Sequence, residues 1–128
     1  MSPHILLLVF LGGGLGAAGR HLVNIGALRL FGMGFPFGTL VVNVLGSALM
    51  GVIVEGAALR WHLSQELRLF LTTGVLGGFT TFSTFSLDAV ALWERGRVEL
   101  ALLYMAGSLL VSLLAIALAM YAMRRLLG

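Results

Sequence analysis

The sequence predicts an all-α integral membrane protein: four transmembrane helices in one domain over residues 1–128, with the third helix broken at its centre. Two features of composition support this. Hydrophobic residues make up 59 % of the 128 residues, and a soluble chain this short cannot bury so much apolar area. Charged residues make up only 10 %, whereas soluble domains carry roughly 25 %. The third observation is a run of glycine, threonine and serine inside one of four apolar stretches.

Charge and motif content exclude several functional classes. The net charge of +3 comes from scattered arginines without any lysine, a pattern that does not predict a nucleic-acid partner. The sequence contains no cysteine and no recognisable nucleophile–base pair, phosphate loop or HExxH motif, so we expect no enzyme. The first apolar stretch is preceded by no arginine or lysine, which argues against a cleaved signal peptide.

Four apolar stretches each approach the ~20 residues that span a hydrocarbon core. They are predicted at Ile5–Leu30, Thr39–Ala58, Leu67–Trp93 and Leu100–Met123. Because lipid offers no hydrogen-bond partners to the backbone, these spans are expected to be helices rather than open strands.

The first span combines a packing motif with one basic residue. Gly12 and Gly16 form a small-xxx-small pair, which is typical of close helix packing. Arg20 lies ~24 Å along the helix from His4 at 1.5 Å per residue, near the far interface. There its side chain either extends to the interface or draws anions into a vestibule.

The second span carries Asn43 deep in an apolar run, with Thr39 and Ser47 four residues away on either side. All three residues therefore share one helical face. The amide of Asn43 offers two N–H donors, which suits an anion. A hydrogen bond between helices is an equally common use of such a residue.

The third span is predicted to break between Gly77 and Thr80, because adjacent glycines followed by β-branched residues form a poor helix interior. A break frees carbonyls that suit a cation and N–H groups that suit an anion. The alternative is a kinked helix in which glycine serves only packing.

Three aromatic residues, Phe79, Phe82 and Phe85, follow at a spacing of three, which predicts one helical ridge. Ser83 and Thr84 lie among them. The ring edge is electropositive, so edge-on rings can contact an anion. A stripe of phenylalanines is also typical of core or lipid-facing packing, and that alternative stays open.

The fourth span places Tyr104, Ser108 and Ser112 at intervals of four residues. They form one polar stripe on an apolar helix. Hydroxyl groups can donate or accept, so the stripe could pass an ion along in steps. Serine also serves as a small packing residue in such helices.

Arginine counts give no clear orientation. With four spans, four arginines lie on one side of the membrane and three or four on the other. The positive-inside rule is then silent. The balance favours a chain that inserts both ways and pairs with an oppositely oriented copy.

Three motifs together resemble the signature of the Fluc (CrcB) fluoride channels. They are GAAGR at residues 16–20, GTLVVNVLG at 38–46 and GGFTTFSTF at 77–85. The likeness covers essentially the whole chain in length, span count and motif order.

The resemblance implies an antiparallel, dual-topology homodimer with two fluoride pores in the bacterial inner membrane, which carries fluoride passively out of the cytoplasm. It implies a structural, untransported Na⁺ held by the carbonyls of Gly77 and Thr80. Phe82 and Phe85 would form an aromatic box, and Asn43 would donate to fluoride. The implied partners are fluoride, a second copy and membrane lipid. The rest of the implied site is a vestibule arginine, Arg20, and a polar route of Thr39, Ser83, Thr84, Tyr104, Ser108 and Ser112.

Two other classes of membrane protein also have four short spans. A small multidrug exporter would need a carboxylate within the first span, and that stretch has none. A membrane adaptor without transport would have no use for polar stripes and a broken helix.

Overall fold

The computed structural model describes residues 3–128, which are almost entirely helical. The helices are α1 (Pro3–Phe31), α2 (Phe37–Leu59), α3 (Gln65–Leu69), α4 (Gly77–Phe79), α5 (Phe82–Glu94) and α6 (Val98–Leu127), with a π-helical segment at Phe70–Leu76 between α3 and α4. Within the described residues, four helical stretches are long and apolar enough to cross a membrane. They are α1, α2, α6 and the interrupted stretch Gln65–Glu94. Each predicted span lies inside one of these stretches, so the prediction of four membrane-length helices is confirmed.

Local chemistry sets the helix ends. Gly32 and Gly96 follow α1 and α5 with φ of 77° and 79°, a conformation that glycine adopts without steric cost. The hydroxyl of Ser64 accepts a hydrogen bond of 3.1 Å from the amide of Leu67 at the start of α3, as an N-cap residue does. These signals turn the chain sharply at both interfaces.

Glycines let α1 lie directly on the third span. A Cβ at Gly12 would lie 2.8 Å from the carbonyl oxygen of Phe70, and one at Gly16 would overlap the Val75 carbonyl. A Cβ at Gly78 would likewise overlap the backbone of Gly13. The packing role predicted for Gly12 and Gly16 is therefore confirmed, and it brings α1 close to the broken helix.

The second and sixth helices form the other half of the bundle. Gly51 of α2 packs against Ile116 of α6. At one end, both Nε and Nη2 of Arg124 donate to Oε1 of Glu55, at 3.1 and 2.8 Å. Because Glu55 is buried, the ion pair ties the ends of the two helices together. Bulky side chains on the outside, such as Leu110 at 60 % exposure, form a surface suited to lipid.

The third span breaks as predicted, but at a slightly later position. Thr80 and Thr81 are extended, with ψ of 159° and 121°, while Gly77–Phe79 remains helical. The predicted single ridge of aromatic residues is therefore wrong, because the break separates Phe79 from Phe82 and Phe85. The π-helical segment before the break was not predicted.

Candidate functional site

The break is held together by the side chain of Asn43. Its Nδ2 donates to the Thr81 carbonyl at 3.0 Å, and its Oδ1 accepts from the Thr81 amide at 2.8 Å. Both backbone groups of an extended residue are thus satisfied inside the bundle, as lipid requires. The hydrogen bond between helices, one of the two interpretations of Asn43, is therefore present, and its second N–H is still available as a donor.

The two half-helices flanking the break are capped differently. The Thr81 hydroxyl accepts from the Thr84 amide at 3.1 Å and caps the start of α5. At the end of α4, Nε of Arg20 donates to the Gly78 carbonyl at 3.1 Å. The amide and hydroxyl of Thr80 both donate to the Leu76 carbonyl at 3.0 Å. Arg20 is thus bound to the break itself, and its predicted vestibule role stays a prediction.

A groove beside the break, here called the site groove, brings several predicted residues together. Its volume is about 260 Å³. It is lined by Asn43, Ser47, Thr80, Thr81, Phe82, Phe85, Ser108, Leu109, Ser112 and Leu113. The lining residues are neutral, and they combine hydroxyl and amide donors with two phenylalanine rings. The site groove therefore unites three separate sequence signals from α2, α5 and α6.

The aromatic wall of the site groove continues into the core. The rings of Phe82 and Phe85 lie 5.5 Å apart between centroids, and Phe85 lies 5.2 Å from the Tyr104 ring. Phe85 packs on a buried cluster that includes Tyr104, whereas Phe82 is 78 % exposed. The inner ring is fixed by packing, and the outer ring projects from the surface of the single chain.

Ser108 stands out among the hydroxyls of the groove. It is only 5 % exposed, and its Oγ lacks a hydrogen-bond partner among the residues that the structure describes. A buried hydroxyl without a partner costs free energy of ~1–3 kcal/mol. An unsatisfied donor facing the groove is what a transient ion or water would satisfy.

A second polar cluster surrounds Asp88, a residue to which the sequence reading gave no site role. Its Oδ2 accepts hydrogen bonds from Thr39 Oγ1 at 2.7 Å and from Tyr104 Oη at 3.1 Å. Thr39 and Tyr104 are buried, so this carboxylate anchors α5 to α2 and α6. The only sequence signal for it was a carboxylate near the end of an apolar span.

The Asp88 cluster lies at the base of a second cavity, here called the polar mouth, of about 350 Å³. It is lined by His21, Asn24, Ala27, Leu28, Gly32, Phe35, Pro36, Phe37, Gly38, Thr39, Thr84 and Asp88. Thr39 and Thr84 therefore lie in the polar mouth and outside the site groove.

The remaining predicted hydroxyls lie elsewhere. Ser83 is exposed, with its Oγ 3.3 Å from the Thr81 hydroxyl. Tyr104 faces an apolar groove between α2 and α6, which Ser108 also lines. Ser108 and Ser112 share the site groove, so the structure brings together only the lower part of the predicted stripe.

The carbonyls of Gly77 and Thr80 fit the requirements of a small cation. In a continuous helix the amide of Thr81 would donate to the Gly77 carbonyl, but here it donates to Asn43. Gly77 lies exposed on the surface of the chain, and Thr80 lies in the extended break. Carbonyl oxygens are ligands suited to hard cations, so these residues could hold sodium without a charged side chain.

A bundle of membrane-length helices around a polar, aromatic-lined groove has the architecture of a membrane transport protein. Residues 7–120 match the family model described as "CrcB-like protein, Camphor Resistance (CrcB)", and the chain belongs to this family. The family membership predicted from the three motifs is confirmed.

Curated relatives share about half of their residues with this chain. A protein of Granulibacter bethesdensis, named "Fluoride-specific ion channel FluC", is 53 % identical over 121 residues, covering 94 % of this chain and 95 % of that protein. A protein of the same name from Agrobacterium fabrum is 54 % identical over 111 residues, covering 87 % and 89 %. Another from Cereibacter sphaeroides is 54 % identical over 119 residues, covering 93 % and 94 %. The relatives are named as ion channels, which agrees with the expectation that the chain is not an enzyme.

Proposed function

We propose that this chain forms a fluoride-selective channel that lets fluoride leave the bacterial cytoplasm passively across the inner membrane. The observation that carries the proposal is the site groove, where neutral donors and phenylalanine edges converge beside a broken helix. The names of the relatives support fluoride as the ion.

A second copy of the chain would complete the pore. The site groove is open on one side, and its outer ring, Phe82, is 78 % exposed. Amide and hydroxyl groups that face hydrocarbon are costly. A partner that covers the groove removes this cost and supplies the opposite wall.

The balanced arginine count supports an antiparallel arrangement of the two copies. A two-fold axis in the membrane plane would then relate the breaks of the two chains near mid-membrane. Each protomer contributes one site groove, so the dimer would contain two pores that run in parallel through the membrane. Lipid covers the remaining leucine-rich faces.

Fluoride is small and strongly hydrated, so the pore must replace its water with several donors. In the site groove the donors are the second N–H of Asn43, the hydroxyls of Ser108 and Ser112, and the ring edges of Phe82 and Phe85. Because the lining residues are neutral, binding remains weak enough for the ion to leave.

Asp88 limits what Thr39 and Tyr104 can contribute. Both hydroxyls already donate to its carboxylate, and the carboxylate repels an anion. These two hydroxyls reach fluoride only if they rotate away from Asp88, so the polar mouth acts as a selective approach to the groove rather than as a binding site.

A sodium ion at the dimer axis would have a structural role. The carbonyls of Gly77 and Thr80 from both copies would surround it and hold the two breaks together. Since its ligands are backbone atoms deep in the assembly, it would exchange slowly and would not be transported.

Reconstitution into liposomes tests the function directly. Vesicles loaded with potassium fluoride are expected to release fluoride when purified protein and a potassium ionophore are present, because a passive channel needs only the ion gradient. Release is measured with a fluoride electrode, and vesicles loaded with potassium chloride serve as the control. Equal chloride release would contradict selectivity, and release that requires a proton gradient would favour an exporter.

Labelling of the chain ends tests the antiparallel arrangement. A single cysteine near the C-terminus is expected to react with an impermeant reagent from both faces of the membrane, with about half of the molecules labelled from each side. Adding two or three arginines beside Arg60 should bias insertion and reduce flux, and an oppositely biased copy should restore it. A uniform orientation in wild type would exclude the antiparallel dimer.

A further inference from the structure

We propose that Arg20 is a positioning residue for the cation site at the break, where its charge keeps cation binding weak and selects monovalent over divalent ions. This inference rests on the proposed function, because it requires the carbonyl-held sodium of the antiparallel dimer.

The first step is the contact that Arg20 makes. Its Nε donates to the Gly78 carbonyl at 3.1 Å in a partly buried position. That carbonyl is therefore turned toward α1 and occupied. A cation at the break is left with the neighbouring carbonyls of Gly77 and Thr80, and Arg20 in this way defines which oxygens form the site.

The second step is the charge that comes with this contact. Among residues 3–128 the ion pairs are Arg124 with Glu55 and His4 with Glu66. The guanidinium of Arg20 thus lies next to the break without a carboxylate at ion-pair distance. It is bonded one residue from Gly77, so its positive charge acts on any cation held by the Gly77 carbonyl.

The third step is how repulsion depends on the charge of the ion. Coulomb energy is proportional to the product of the two charges. The same guanidinium therefore repels a divalent ion twice as strongly as sodium, and in a partly buried site water screens little of this. Arg20 should disfavour Ca²⁺ more than Na⁺ at a site built only from neutral carbonyls.

Thermal unfolding of the purified dimer in detergent tests this without measuring flux. Ligands that bind only the native protein raise its stability with concentration, so titration with NaCl or CaCl₂ against choline chloride gives an apparent affinity for each ion. The two variants are Arg20→Gln, which is neutral but keeps an N–H donor for the Gly78 carbonyl, and Arg20→Lys, which keeps the charge.

We expect Arg20→Gln to bind Na⁺ about tenfold and Ca²⁺ about a hundredfold more tightly than wild type, because the repulsion on Ca²⁺ is twice as large on a logarithmic scale. Arg20→Lys should bind both ions as wild type does. A purely structural role would instead weaken Na⁺ binding in both variants, and that result would overturn the inference.

The two proposals fail in different ways. If wild-type stability does not respond to Na⁺, then the central sodium of the proposed function is wrong and the inference falls with it. If wild type responds but Arg20→Gln shows unchanged affinity for both ions, then only the role of Arg20 is wrong.

Discussion

Replacing Phe82 or Phe85 with isoleucine is expected to lower fluoride flux by about a hundredfold, which corresponds to ~3 kcal/mol in the barrier. Isoleucine keeps apolar bulk but lacks the electropositive ring edge. The two rings face the site groove together, 5.5 Å apart, so either loss leaves a dehydrated ion short of partners. The measurement is initial fluoride release from liposomes at equal amounts of dimeric protein.

A matched control separates this effect from a general loss of an aromatic residue. Phe10 on α1 is 73 % exposed, close to the exposure of Phe82, but it lies away from the site groove. Phe10→Ile should conduct like wild type. If Phe82→Ile and Phe85→Ile do so as well while remaining dimeric, the rings serve packing only.

Replacing Asn43 is expected to be equally severe, because its side chain both offers a donor to the groove and satisfies the break. Asn43→Leu removes both hydrogen bonds to Thr81, and each buried peptide group left unpaired costs ~1–3 kcal/mol. Asn43→Asp retains the acceptor for the Thr81 amide but replaces the donor with a repelling charge or a neutral acid. Fluoride flux should fall about a hundredfold in both variants, in line with a ~3 kcal/mol loss.

Stability distinguishes the two roles of Asn43. Asn43→Leu should also lower the unfolding temperature of the dimer in detergent, since the break loses its partner. Ser47→Ala, one turn further along α2 in the same groove, should leave that temperature unchanged and reduce flux less. Wild-type flux in Asn43→Leu would exclude both roles.

The sequence was sufficient for the helices because the bilayer imposes one simple requirement on every span. Apolar length alone placed each predicted span within a helix. The break was also predictable, since Gly77, Gly78 and the threonines that follow are poor helix formers in any environment. Its displacement to Thr80 and Thr81 depends on Asn43, a partner that is 38 residues away in the chain.

The partners of individual polar groups could not be predicted for the same reason. Helical periodicity places Thr39, Asn43 and Ser47 on one face, but it does not say which neighbour each side chain meets. The structure divides this face between Asp88, the break and the site groove. Tyr104 is similarly drawn to Asp88 rather than to the lower part of its own stripe.

The position of the break in the chain also determines the order in which its partners reach the membrane. Arg20 and Asn43, whose side chains bond Gly78 and Thr81, both lie N-terminal to the residues they satisfy. A chain synthesised from its N-terminus therefore has both partners in the membrane before the third span leaves the ribosome. Its exposed peptide groups can be paired on insertion, whereas Glu55 must wait for Arg124, 69 residues later. Early biogenesis thus protects the broken helix first and closes the α2–α6 ion pair last.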